Sequence, residues 1–167
     1  SRELRAYDET RGYYVGDADT YIAEWVRSKF TEMGKTASQG FVTEVVATAR
    51  DRSYRDRPSV NPPWFVVVQN GVLNVKTGEL GPHAPDPVFT FGLPVPYDPS
   101  AICPTFDAFL ERSLPDPVQR EAVLEFAGYF LWPGNPFRKL AVVWGPTTTG
   151  KSTYTAILIG VYGTENV

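Results

Sequence analysis

The residues best equipped for chemistry are Gly145-Pro146-Thr147-Thr148-Thr149-Gly150-Lys151-Ser152, which fit the pattern G-x-x-x-x-G-K-[ST] of a phosphate-binding loop. Gly145 and Gly150 allow backbone conformations, and a closeness of approach to an anion, that a Cβ would obstruct. Lys151 is the catalytic candidate, expected to reach the β- and γ-phosphates of ATP. Ser152 is the metal candidate, its hydroxyl expected on Mg2+, while Thr153 can add a hydroxyl near the α-phosphate. The nine residues from Gly145 to Thr153 thus form the candidate nucleotide site, with ATP and Mg2+ as its cofactors.

A loop of this kind works only between a strand and a helix. Residues 140–144, Leu-Ala-Val-Val-Trp, read as a short strand of the buried type, expected here to be solvent-exposed at an edge or paired with another molecule because its parallel neighbours are missing, and residues 153–159 read as a helix start ending at Gly160. That order aims backbone N–H groups and the positive end of a helix dipole at one point, where a triphosphate can sit. The plainer reading is a Gly/Thr-rich turn that matches by accident; the flanking segments argue against it. Residues 154–167 leave no room for a second, acidic strand, because the crossover units of such a sheet take about 30 residues each. With Ser1 in place of Met, the sequence is expected to be an excised piece of a longer polypeptide, without appreciable ATPase or helicase activity by itself.

Composition limits the other possibilities. A chain of 167 residues, 43% hydrophobic and 14% aromatic, can bury a core and predicts one domain plus a fragment of another. The net charge of -3 argues against a strongly basic nucleic-acid surface, although a local patch remains open. Cys103 and His83 are each the sole residue of their type, so neither an internal disulfide nor a Cys/His zinc cluster can form, and a reducing, cytoplasmic setting is expected. No apolar run is long enough for a membrane span, and no signal-peptide pattern is present.

Along the chain, residues 4–7 and 13–15 read as strands around the turn Asp8-Glu-Thr-Arg-Gly12. A helix capped by Asp17 or Asp19 follows, with Ile22, Trp25, Val26, Phe30 and Met33 on one face. A second starts near Ser38, with Val42, Val45, Val46 and Ala49 inward, and ends in Arg50, Arg52, Tyr54, Arg55 and Arg57. Those arginines could grip a phosphate backbone, but the preferred reading is a solvated helix end whose cations complement the dipole beside Asp51 and Asp56. Residues 64–68 and 72–75, with Leu80, read as strands joined by turns at Gln69-Asn70-Gly71 and Lys76-Thr77-Gly78-Glu79. Proline then dominates, leaving residues 88–91 as the best strand there and His83 as a turn residue. Thr105 can cap a helix carrying Phe106, Phe109 and Leu110. Asp116-Pro117 opens the clearest helix, 117–132, with Gln119 at the capping-box position and an apolar stripe of Val118, Ala122, Val123, Phe126, Ala127, Phe130 and Leu131. Its carboxylates, Glu121 and Glu125, with Glu111 before them, read as solvent-side groups.

The order Asn70-Gly71-Val-Leu-Asn-Val-Lys-Thr77-Gly78-Glu79-Leu80, then Pro96-Tyr97-Asp98-Pro99 with Ala101-x-Cys103-Pro104, then Gly128-Tyr129-Phe-Leu131, then Gly150-Lys151-Ser152-Thr153, resembles the phage and plasmid primase-helicase family of poxvirus type. The resemblance covers most of the chain from about residue 64 onward and extends, with fewer matching residues, to the helical segment before it. It implies a superfamily III helicase motor of the AAA+ class, with an acidic metal-binding motif, an asparagine sensor and an arginine finger beyond the residues here. The implied fold is α+β: residues 1–98 a helix-rich pre-helicase domain with short antiparallel strands, and 99–167 the first strand-loop-helix of the P-loop domain. The implied function is ATP-dependent DNA helicase/primase action in replication, with single-stranded or forked DNA as partner and self-association into a ring, most often a hexamer. Two other readings stand beside it: a noncatalytic DNA- or primase-binding module with a passive phosphate loop, and a nucleotide kinase sharing the loop.

Overall fold

In the computed structural model, which describes residues 3–54, 60–132 and 135–166, the chain is α+β, with five helices and short antiparallel strands. It divides into two compact units that the chain enters by turns: residues 1–62 with 83–91, and residues 63–82 with 92–167.

The first unit opens with a hairpin, β1 (Ala6–Asp8) against β2 (Tyr13–Val15), in the register Tyr7 opposite Tyr14. Its turn closes on Asp8, whose carboxylate accepts from the Thr10 and Arg11 N–H groups at 2.9 and 3.1 Å, and whose carbonyl accepts from Gly12 at 2.8 Å. Gly12 has φ +76, and a Cβ there would lie 2.4 Å from the His83 ring, so glycine is required both by conformation and by contact. The returning segment lines this hairpin: the Tyr14 N–H donates to the Phe89 carbonyl at 2.8 Å and the Tyr14 hydroxyl to that of Pro85 at 3.1 Å. The strand expected over 88–91 is reduced to a single parallel bridge, Val60 with Val88. Side-chain bonds compensate, with Asn61 and Thr90 exchanging two at 2.8 Å.

Helices α1 (Ala18–Glu32) and α2 (Gln39–Arg52) form an antiparallel pair, as Asp19 near the start of α1 meets Arg50 near the end of α2, while Phe30 near the end of α1 meets Phe41 near the start of α2. Ser38 caps α2, accepting from the Phe41 N–H at 3.2 Å, as its type and position predict. The cap expected on α1 differs: Asp17 sits at the N-cap in a left-handed conformation and makes no side-chain bond, while Asp19 is engaged by Arg50. Only Ala18 and Val26 of α1 are buried, and Trp25 and Met33 stand exposed, so its apolar face is narrower than the spacing suggests. Of the four arginines at the end of α2, Arg50 is committed to this helix–helix ion pair, which favours the structural reading for it; Arg55 and Arg57 lie outside the described residues.

The second unit is built on a meander, β3 (Phe65–Val68), β4 (Gly71–Asn74) and β5 (Leu80–Gly81), with Val66, Val67 and Val68 buried. Gly71 is fixed by close approach, since a Cβ there would lie 2.2 Å from the Gly81 carbonyl oxygen. After its excursion the chain returns along β3: Leu93 N–H donates to Val67 O at 2.8 Å and Gln69 N–H to Val95 O at 3.0 Å. Asn70 then grips Tyr97 with both ends of its amide, each at 2.9 Å, so two sequence motifs far apart in the chain form one structural feature.

Helix α3 (Pro104–Ser113) begins two residues earlier than expected, with Cys103 rather than Thr105 at the cap and Leu110 buried. Helix α4 (Pro117–Phe130) starts as predicted, Asp116 accepting from the Val118 N–H at 2.9 Å. Arg120 donates to the Leu114 and Pro115 carbonyls at 2.7 and 2.9 Å, closing the α3–α4 corner. No residue of α4 is buried; its stripe stays open at Val118, Phe126 and Phe130, and its engagement is with α5 (Lys151–Tyr162) through tyrosines. Tyr154 and Tyr162 donate to the Val123 and Ala127 carbonyls, each at 2.7 Å.

Burial, with Tyr154 nearby, pushes the Tyr162 hydroxyl from its ordinary value near 10 up to about 12. The folded chain therefore holds this proton where the unfolded chain releases it. Stability is full below pH about 10 and declines as pH rises from about 10 towards 12. Chemical unfolding at a series of alkaline pH values is expected to show that decline, and Tyr162→Phe to flatten it; an equal slope in the variant would remove Tyr162 from the account.

Candidate nucleotide-phosphate site

Helix α5 begins at the loop lysine itself, and it runs through Gly160 to Tyr162, two residues beyond the expected stop, with Gly163, at φ +86, as its C-cap. The extension follows from Tyr162, which anchors the last turn on α4. Gly150 is the N-cap residue, at φ +86, and Thr148 also has positive φ at +62, so the loop reverses sharply before the helix. A Cβ on Gly150 would lie 2.8 Å from both Phe109 and Ser113 of α3, which therefore buttress the loop from behind. Tyr154 is the first N–H of the helix ladder, donating to Gly150 O at 2.9 Å. The N–H groups of Lys151, Ser152 and Thr153 precede the ladder and are the donors an anion at this terminus would use.

The loop is closed on its own lysine. Lys151 Nζ donates to Gly145 O at 3.0 Å, to Pro146 O, and to Thr149 Oγ1 at 3.2 Å. Thr149 in turn donates to Pro146 O at 3.0 Å, and Thr148 to Thr147 O at 2.6 Å. The ammonium thus bridges the two ends of the loop. A phosphate has the stronger claim on that charge, because an ionised acceptor bonds an ammonium more tightly than a carbonyl does. Ser152 and Thr153 are exposed on the first turn of α5. Among the described residues no group of three or more His, Cys, Asp or Glu is placed to hold a metal. Mg2+ at Ser152 would take its remaining ligands from phosphates and water, which suits that ion.

The nine predicted site residues therefore sit together as one loop and helix start, with Lys151 at its centre. The strand read before them does not form, and its large apolar residues are exposed, as expected where parallel neighbours are missing. Residues 140–145 carry no ladder, and Leu140, Val142, Val143 and Trp144 are exposed, the last at 92%. A central strand of a parallel sheet needs neighbours on both edges, and the described residues supply none. The buttress of Phe109 and Ser113 escaped sequence reading, since nothing in the spacing of α3 points to residues some forty positions away; only a left-handed glycine with no room for a Cβ discloses it.

Residues 2–115 match the family described as D5 N terminal like, which is more than half of the chain, and the chain belongs to that family. This is the N-terminal domain of phage and poxvirus-type primase-helicase replication proteins. The matched span takes in the Asn70–Tyr97 feature and α3, and ends before α4 and the loop at 145–152. No curated protein matches the chain. Among the described residues, no helix is long and apolar enough to cross a membrane.

Proposed function

We propose that this chain is part of an ATP-dependent DNA helicase/primase of a phage, plasmid or integrated element, and that its loop binds ATP·Mg. The observation that carries the reading is the set of Lys151, left-handed Gly150 and the unspent first turn of α5, placed together on a wall made by α3. Bound ATP supplies the phosphoanhydride whose hydrolysis drives strand separation. The chain's own residues bind and orient it: the turn of N–H groups holds the β-phosphate, Lys151 swings from Gly145 and Pro146 to the phosphates, and Ser152 offers its hydroxyl to the cation. In this reading residues 1–98 are the linker ahead of the motor and 99–167 its first part, working in the cytoplasm within a ring of subunits, with single-stranded or forked DNA as partner.

A second reading, a noncatalytic DNA- or primase-binding module with a passive loop, draws on the fact that Lys151 is already satisfied by the loop's own oxygens. Thermal unfolding with nucleotide separates the two. ATP with Mg2+ is expected to raise the midpoint in a concentration-dependent way, more than ATP with a chelator, with Ser152→Ala erasing the difference. A midpoint indifferent to ATP at millimolar concentration would favour the passive loop.

A further inference from the structure

Outside the phosphate loop, the second unit carries an aromatic cluster that its fold leaves open on one side. Trp64 and Trp132 lie with ring centroids 4.1 Å apart, and Lys76 Nζ stands 4.0 Å over the Trp64 ring. Phe137 continues the cluster, edge-on to Trp132 at 5.6 Å and near-parallel to Tyr129 at 6.0 Å, yet it is 61% exposed. An exposed phenyl ring usually collapses onto its neighbours, but here the turn that carries it is locked. Asn135 accepts from the Lys139 N–H at 2.9 Å and donates to its carbonyl at 3.1 Å, while Arg138 N–H donates to Asn135 O at 2.9 Å. The Tyr129 hydroxyl accepts from the Phe137 N–H at 3.2 Å and itself donates to Asn135. Arg138, at φ +50, and Lys139 follow the ring directly in the same turn, both exposed and without an ion pair to any described residue.

We propose that this turn is a stacking platform for single-stranded nucleic acid: an unpaired base lies on Phe137, and the phosphates on either side are met by Arg138, Lys139 and Lys76. A preorganised aromatic face flanked by unbalanced cations matches what an unpaired, charged strand offers, a π-face on every base and a phosphate between each pair. A purely apolar protein partner fits less well, since it would strip water from Arg138 and Lys139 without returning a bond. A duplex fits less well too, because its bases are already stacked. The site is independent of the nucleotide reading and of the arginines at the end of α2.

Fluorescence anisotropy of a labelled oligothymidine, titrated with the full chain between about 50 and 200 mM salt, tests this. Three phosphate contacts predict log affinity falling with log salt at a slope of roughly -2. Phe137→Ala is expected to weaken binding about tenfold or more, the effect of losing one stacked base. Arg138→Ala with Lys139→Ala, which keeps the ring, is expected to flatten the slope to about -0.7. Circular dichroism of each variant should match the parent. Lys151→Ala should leave oligonucleotide binding in place. The proposal is overturned if both platform variants bind like the parent, if no binding is seen at the lowest salt, if a duplex of equal length binds as tightly, or if binding is lost only in Lys151→Ala.

Discussion

Lys151→Ala is expected to weaken ATP·Mg binding by about a hundredfold or more while leaving α5 folded. Hydrogen bonds to charged groups contribute about 1.5–3 kcal/mol each, so losing two to the β- and γ-phosphates removes at least ~3 kcal/mol, or two decades in dissociation constant. Alanine is the strongest helix former, and the helix is held elsewhere by Tyr154 and Tyr162, so the loss should not reflect unfolding. The same substitution frees Gly145 O and leaves Pro146 O with the Thr149 hydroxyl, and the variant's loop should become more susceptible to limited proteolysis. Isothermal titration calorimetry with ATP and Mg2+ measures the affinity. A change of less than about threefold would take Lys151 out of the phosphate role assigned to it.

Phe89→Ala is expected to lower the unfolding free energy of the first unit by about 3–5 kcal/mol, a large share of the ~5–15 kcal/mol that a domain commands. Phe89 is only 2% exposed, and its carbonyl accepts from Tyr14, so it packs the returning segment against the β1–β2 hairpin at the point where the backbone also joins. Few other large side chains are buried there to refill the space, Leu4, Val26 and Val42 being the next. Urea unfolding followed by far-ultraviolet circular dichroism would give the value, and a loss below about 1 kcal/mol would show that the site collapses around the smaller residue.

Local rules were legible wherever a short stretch determines its own structure. Ser38 and Asp116 cap the helices that follow them, and the turns at Gly12 and Gly78 carry positive φ, because each depends on neighbours within a few positions. The left-handed turn at Gly150 and the helix start after it follow the same kind of local signal. What failed to follow was burial. Trp25 and Met33, and then Val118, Phe126 and Phe130, have helical spacing, and yet all are exposed; periodicity shows which face is apolar and says nothing about whether a partner covers it. At 140–144 no ladder forms, since a strand exists only through a neighbour, and the exposure of that segment is what its missing neighbours led us to expect. The pairing of Asn70 with Tyr97 and the wall behind Gly150 were invisible because they join residues 27 or more positions apart through geometry that no local pattern encodes.

The alternation of the chain between its two units bears on how the protein is born. The first unit comprises residues 1–62 and 83–91, so its closing segment leaves the ribosome only after the whole β3–β5 meander. At about 5–20 residues per second, the hairpin and the α1–α2 pair wait a few seconds for Phe89 to arrive. During that interval Tyr14 and the ring-sized space beside Gly12 are unfilled, which makes the nascent chain at that length the state most in need of a chaperone. Neither half can be completed without the other having begun.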